Sequence, residues 1–149
     1  IHAMLATPND IDQVERRGMN RGINRHNWDY PTLNALLDDP ETIHARVLNA
    51  LSDRLKIRAK QPAFHPNATQ FTMALPDGVF GIWRQSLDRH QSIFALHNVS
   101  DHTVEIPLTQ MNLIEDEDWI DLLTGEEIDV DGDAIILTPY QCRWITNRF

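Results

Sequence analysis

The sequence predicts an α+β chain, with helices in the first part and an antiparallel β domain in the second. Two periodicities and the boundary between them carry that prediction. Between Ile43 and Ile57 the apolar residues recur at three- and four-residue spacing, and from Thr69 onward they alternate in short runs separated by turn-forming residues. Gln61-Pro62-Ala63-Phe64-His65-Pro66-Asn67 lies between the two regimes, and two prolines in five residues cannot continue a helix.

Taken in order, Ile1 to Ala6 is short and apolar and runs into Thr7-Pro8-Asn9-Asp10, the pattern of the end of a buried strand entering a loop. Ile11 to Gly18 predicts a brief helical turn broken by Gly18. The next stretch, Asn20-Arg21-Gly22-Ile23-Asn24-Arg25-His26-Asn27-Trp28, has too little apolar content for a core segment and too many directional donors for a plain linker. Pro31 then begins a short helix through Leu33, Leu36 and Leu37, with Asp29 or Tyr30 beside its start. Asp39 and Pro40 read as cap and first position of a second helix. Its apolar stripe is Ile43, Val47, Leu48, Leu51, Leu55 and Ile57, and Arg58 and Lys60 suit its negative end.

Seven β-type runs follow: Thr69 to Leu75, Val79 to Ser86, Ser92 to Val99, Thr103 to Leu108, Trp119 to Leu123, Ala134 to Leu137 and Gln141 to Thr146. Turn residues at Pro76-Asp77-Gly78, Asp88-Arg89-His90, Ser100-Asp101-His102, Thr124-Gly125 and Asp131-Gly132 separate them, which predicts an antiparallel sandwich or sheet.

Composition excludes several functions. Residues 1 to 60 hold nine Lys/Arg against eight Asp/Glu, whereas residues 61 to 149 hold four against fourteen, so the second part repels phosphodiester backbones and no nucleic-acid partner is expected. No apolar run reaches membrane length, so no membrane partner is expected either. The single cysteine, Cys142, forms no intrachain disulfide and suits a reducing, cytoplasmic compartment. The chain opens without Met in an apolar stretch, which gives the expectation of a piece of a larger protein. Asn67-Ala68-Thr69 and Asn98-Val99-Ser100 match a glycosylation pattern that tripeptides reach by chance.

Other polar groupings read as structural. Asp129-Val130-Asp131-Gly132-Asp133 lacks the closing Glu of a calcium loop and reads as a solvated turn. Glu115 to Asp118 is a charged loop, because adjacent carboxylates without apolar shielding simply ionise. The histidines show no metal-ligand spacing, with His90, His97 and His102 expected in loops or on sheet faces. No metal and no cofactor are therefore expected. Trp83, Trp119 and Trp144 fall on strands and favour core packing, while an exposed row of them would make a surface for sugar rings.

The Leu5-Ala6-Thr7-Pro8-Asn9-Asp10 and Asn20 to Trp28 segments together resemble the loop after the eighth barrel strand in the sucrose phosphorylase branch of the alpha-amylase superfamily. Pro62-Ala63-Phe64-His65-Pro66-Asn67-Ala68, Phe94-Ala95-Leu96-His97-Asn98-Val99-Ser100 and Asp121-Leu122-Leu123-Thr124-Gly125 resemble the C-terminal domain of the same branch. The resemblance implies that residues 1–61 are the end of a catalytic (β/α)8 barrel, with strand eight, the active-site loop and the terminal helices, and that residues 62–149 are a C-terminal antiparallel β-sandwich domain. It implies a retaining α-glucoside phosphorylase whose partners are an α-glucoside, inorganic phosphate and the N-terminal barrel portion, with the catalytic carboxylates outside this chain.

Within that frame Arg21, Asn9 and Asp10 are the expected substrate-binding residues, and Asn24, Arg25 and His26 the expected supports of the loop. No residue here is expected to be catalytic. Sucrose phosphorylases usually carry an acid after the pocket arginine where this chain has Gly22. That departure and the Thr-Pro-Asn-Asp loop point towards relatives acting on sucrose 6'-phosphate, glucosylglycerate or glucosylglycerol. The alternative is a non-catalytic β domain that binds carbohydrate or a protein, with the helix as an adaptor.

Overall fold

The computed structural model describes residues 1–111 and 118–147. Apart from exposed Asp118, the charged loop expected at Glu115 to Asp118 lies outside the described residues. The chain divides into two compact units, Ile1–Lys56 and Ile57–Phe149.

In the first unit, the strand expected at Ile1 to Ala6 is absent. The backbone closes on itself instead, with Met4 N–H donating to the Ile1 carbonyl at 3.0 Å and Thr7 N–H to that of His2 at 3.0 Å. A buried parallel strand is defined by the neighbours that complete its ladder. Among the described residues none pairs with this segment, and Ile1 is 88% exposed.

Helix α1, Ile11–Arg17, starts at Asp10, whose carboxylate accepts from Gln13 N–H at 2.9 Å. It ends at Gly18, which takes φ +62° and donates to the Val14 carbonyl. Such a left-handed cap suits a residue without Cβ. A 3₁₀ turn, Asn20–Asn24, follows. Helix α2, Tyr30–Asp38, is capped by Asp29, which accepts from the Thr32 hydroxyl at 2.7 Å and the Thr32 N–H at 3.1 Å. The hydroxyl bond, and then the backbone bond, hold the Asp29 carboxyl below the usual carboxylate range.

Helix α3, Ile43–Ala59, begins later than expected. Asp39 and Pro40 belong to a preceding turn, in which Asp39 accepts from Glu41 N–H at 3.0 Å. Thr42 takes over as cap: its hydroxyl oxygen accepts from Ala45 N–H at 3.2 Å and faces the carbonyls of Leu36 and Asp39. Only Ala45 of this helix is buried, and the apolar stripe is half covered: Val47, Leu48 and Ile57 are half-buried, while Ile43 is 60% and Leu55 51% exposed.

The second unit contains the seven expected strands: β1 Thr69–Thr72, β2 Val79–Gln85, β3 Ser92–Asn98, β4 Val104–Pro107, β5 Trp119–Asp121, β6 Ala134–Leu137 and β7 Cys142–Asn147. Every pairing is antiparallel, in a five-stranded sheet ordered β1-β2-β3-β7-β5 and a two-stranded sheet β4-β6. One core joins Phe94 and Leu96 of β3, Trp119 of β5 and Ile145 of β7 to Ile106 of β4 and Ile135 and Leu137 of β6, so it draws on both sheets. The alternation seen in the sequence is thus the alternation of inward and outward faces. On the other face of the larger sheet, Ile93 and Ala95 pack with Ala63 and Phe64 of the 3₁₀ turn Pro62–Phe64.

The tryptophans join this packing and form no exposed row. Trp119 is 3% exposed. Trp83 lies between the rings of Phe71 and Phe94, and Trp144 meets Phe64 edge-on at 5.0 Å.

Candidate sugar-binding loop

In the first unit, α1 packs back onto the Asn20–Asn24 turn at a position that only glycine fills without displacement. Gly22 is buried, and a Cβ there would meet the Gln13 carbonyl oxygen at 3.3 Å. The ladder is closed by Asp10 N–H donating to the Ile23 carbonyl at 2.9 Å, and by the Gln13 side-chain amide donating to the Arg25 carbonyl at 3.0 Å. The Gln13 side-chain oxygen is buried without a hydrogen-bond donor among the described residues.

Asp10 has both carboxylate oxygens engaged: Oδ1 caps α1, and Oδ2 lies 3.4 Å from His26 Nδ1. Beyond His26 the rings continue inward. His26 meets Trp28 edge-on at 4.7 Å, and Trp28 meets His44 of α3 at 5.1 Å. Trp28 Nε1–H donates to Thr7 Oγ1 at 2.9 Å. His44 Nδ1 lies 2.7 Å from the Leu5 carbonyl, which only accepts, so this nitrogen carries the proton. Thr7-Pro8-Asn9-Asp10 and the Asn20 to Trp28 segment are therefore one cross-tied loop.

The expected site residues divide by direction. Arg21, Asn9, Asn24 and Arg25 are exposed, and none has a side-chain hydrogen bond among the described residues. Asp10 is mostly buried and His26 half-buried, and the two are in ion-pair contact with each other. Arg25 contributes to the loop through its carbonyl alone. Thr7, Gln13 and His44 were not singled out from the sequence, since each reads locally as an ordinary loop or helix residue and acquires its role from partners distant along the chain. Trp28 belonged to the cluster, but the indole bond to Thr7 has no local sequence signal.

The β-domain motifs serve architecture. Asn98 is 3% exposed, and its amide nitrogen donates to the carbonyls of His102, Leu137 and Thr138, so it is no glycosylation acceptor. Asp121 is fully buried and accepts from Arg143 Nε at 2.9 Å and from the N–H groups of Leu123 and Trp144. Arg84 donates to the carbonyls of Ala63 and His65, tying the proline-rich turn to the sheet. His97 packs beside Phe80, with Nδ1 3.1 Å from Cys142 Sγ, and burial pushes its pKa below the ordinary 6.5. Asp129 accepts from Asp131 N–H within a turn. Among the described residues no group of three metal-ligating side chains converges, and no helix is long and apolar enough to cross a membrane.

Comparison with known proteins gives this geometry its context. No family model matches the chain. Glucosylglycerate phosphorylases align with it along nearly its whole length: that of Spirochaeta thermophila at 31% identity over 98% of the chain, and that of Allomeiothermus silvanus at 33% over 97%. The chain is homologous to glucosylglycerate phosphorylases over nearly its whole length. The homologous region is 26% of the Spirochaeta protein and 23% of the Allomeiothermus protein, so this phosphorylase homologue spans about a quarter of the relatives' length.

Its fold is that of alpha-amylase family proteins. An Anoxybacillus alpha-amylase superposes with a TM-score of 0.64 at 17% identity, covering 84% of this chain and 25% of that one. The Geobacillus thermoleovorans alpha-amylase superposes with a TM-score of 0.58 at 19% identity, covering 86% and 26%.

Proposed function

We propose that this chain is the C-terminal portion of a retaining α-glucoside phosphorylase that transfers glucose from glucosylglycerate to inorganic phosphate, giving glucose 1-phosphate. Residues 1–61 are the end of its (β/α)8 barrel, including the active-site loop, and residues 62–149 are its β domain. The observation that carries the reading is the near end-to-end alignment with glucosylglycerate phosphorylases, which includes the loop that holds Arg21 outward.

In this reading the nucleophilic aspartate and the acid/base glutamate lie in the rest of the enzyme. An aspartate attacks the anomeric carbon, the glutamate protonates the departing oxygen, and phosphate then takes the glucosyl group in place of water. Arg21 supplies binding and orientation. Its planar guanidinium can hold a carboxylate of the pocket and a sugar hydroxyl at once, and the stabilisation counts towards rate to the extent that it grows at the transition state. Asn9, beside it in the same cross-tied loop, offers an amide to the acceptor. No cofactor takes part.

The test is an assay of the complete enzyme for phosphate-dependent release of glucose 1-phosphate, with glucosylglycerate, sucrose, sucrose 6'-phosphate and glucosylglycerol as donors, beside an assay of the 149-residue chain alone. Turnover of glucosylglycerate by the complete enzyme and none by the chain is the expected result. Phosphorolysis by the 149-residue chain, or hydrolysis indifferent to phosphate, would overturn the reading.

A further inference from the structure

The sequence places Asp10 among the sugar contacts, but the structure gives its carboxylate other work. Oδ1 accepts the Gln13 N–H that starts α1, Oδ2 faces His26 Nδ1, and the Asp10 side chain is only 14% exposed. With one oxygen hydrogen-bonded, the other in ion-pair contact with His26 and so little surface, this carboxylate presents little of itself to a sugar hydroxyl. Its neighbour Asn9 is exposed and carries no such bonds. The two adjacent residues therefore face different tasks.

We propose that Asp10 and His26 form a positioning clasp that fixes the Asn20–Asn24 turn, and thereby sets how Arg21 is presented, without touching substrate. This rests on the proposed sugar-binding role of the loop. The clasp closes a circuit. Asp10 holds α1, α1 carries Gln13, and Gln13 holds the Arg25 carbonyl one residue before His26. Gly22 docks on the Gln13 backbone between the two ties, directly after Arg21. His26 is in turn held by Trp28, whose indole is fixed by Thr7 and by His44. Loss of the carboxylate frees the cap and the histidine together. Loss of the imidazole leaves a carboxylate mostly buried with one unsatisfied oxygen.

His26→Ala, His26→Asn and Asp10→Ala in the complete phosphorylase separate a clasp from a sugar contact, read by amide hydrogen exchange across residues 13–28 and by steady-state kinetics. Asparagine can place its amide N–H where Nδ1 stands, so it restores the donor without the ring. For a clasp, His26→Ala and Asp10→Ala each raise exchange in the 20–24 turn and lower kcat/KM by about tenfold, the scale of leaving a mostly buried polar group without its partner. His26→Asn then recovers most of both effects. Unchanged exchange in the 20–24 turn, or an Asn variant no better than Ala, would overturn the clasp. Where Asp10→Ala does not fold, the two His26 variants decide alone. Failure of the underlying reading has a different signature: Arg21→Ala with near-normal transfer removes the loop from the sugar site, whatever the exchange data show.

Discussion

The loop unit and the β domain treat their polar residues in opposite ways. In the β domain polar side chains are committed to the fold: Asn98 and Asp121, from motifs read in the sequence, are buried, and with Arg84 they hold carbonyls and N–H groups of their own chain. In the loop unit, Arg21, Asn9, Asn24 and Arg25 turn outward, while Asp10, Gln13 and His26 brace them from behind. Polar residues that look alike in a sequence can therefore serve the fold or face solvent, and burial with hydrogen-bond satisfaction tells the two apart. Groups whose bonds are already made inside the fold are poor ligand contacts, whereas exposed donors without partners are good ones.

The contrast predicts unequal costs of substitution. Asp121→Ala should be most severe, destabilising the β domain by about 3–5 kcal/mol, because it takes the acceptor from Arg143 Nε and from two N–H groups and leaves Arg143 with Glu126 alone. Urea denaturation of the variant measures this, and a loss below about 1 kcal/mol would make the buried pair marginal. Asn98→Ala should cost about 1–3 kcal/mol by the same measurement, since it takes the donor from the carbonyls of His102, ahead of β4, and of Leu137 and Thr138, at the end of β6.

Arg21→Ala should leave the denaturation midpoint nearly unchanged, within about 0.5 kcal/mol, as expected of an exposed side chain without partners. A larger loss would move Arg21 to the architectural class and erase the contrast.

The finest distinction concerns His97. Burial favours its neutral form in the folded chain, so the unfolded chain binds the extra proton first as pH falls. Stability should decline as pH drops through 6.5 towards the lower folded-state pKa, and then level off. Denaturation midpoints measured between neutral and mildly acidic pH should show a shallower slope in His97→Gln than in the parent. An equal slope would assign that pH dependence elsewhere.

Much of the β domain was legible because its signals are local. Alternation, turn residues and the prolines at 62 and 66 placed all seven strands within a few residues. Asp29 and Gly18 likewise announced the ends of their helices. Errors arose where structure depends on distant partners. Ile1 to Ala6 has a strand's composition, but a strand needs a neighbouring ladder. Asp39 and Thr42 are both competent caps, and only the carbonyls of Leu36 and Asp39 around the Thr42 hydroxyl decide between them. Arg21, Asn9 and Asp10 were expected at the site through the family resemblance alone, and the contact of Asp10 with His26, which lies across the loop, has no local sequence signal.

The most direct measurement is the kinetics of Arg21→Ala in the complete enzyme, with glucosylglycerate and phosphate as the proposed substrates. The outward loop predicts kcat/KM lower by about 10²-fold or more at unchanged thermal stability, the scale of a preorganised contact that strengthens at the transition state. Near-normal turnover by a fully folded variant would contradict it.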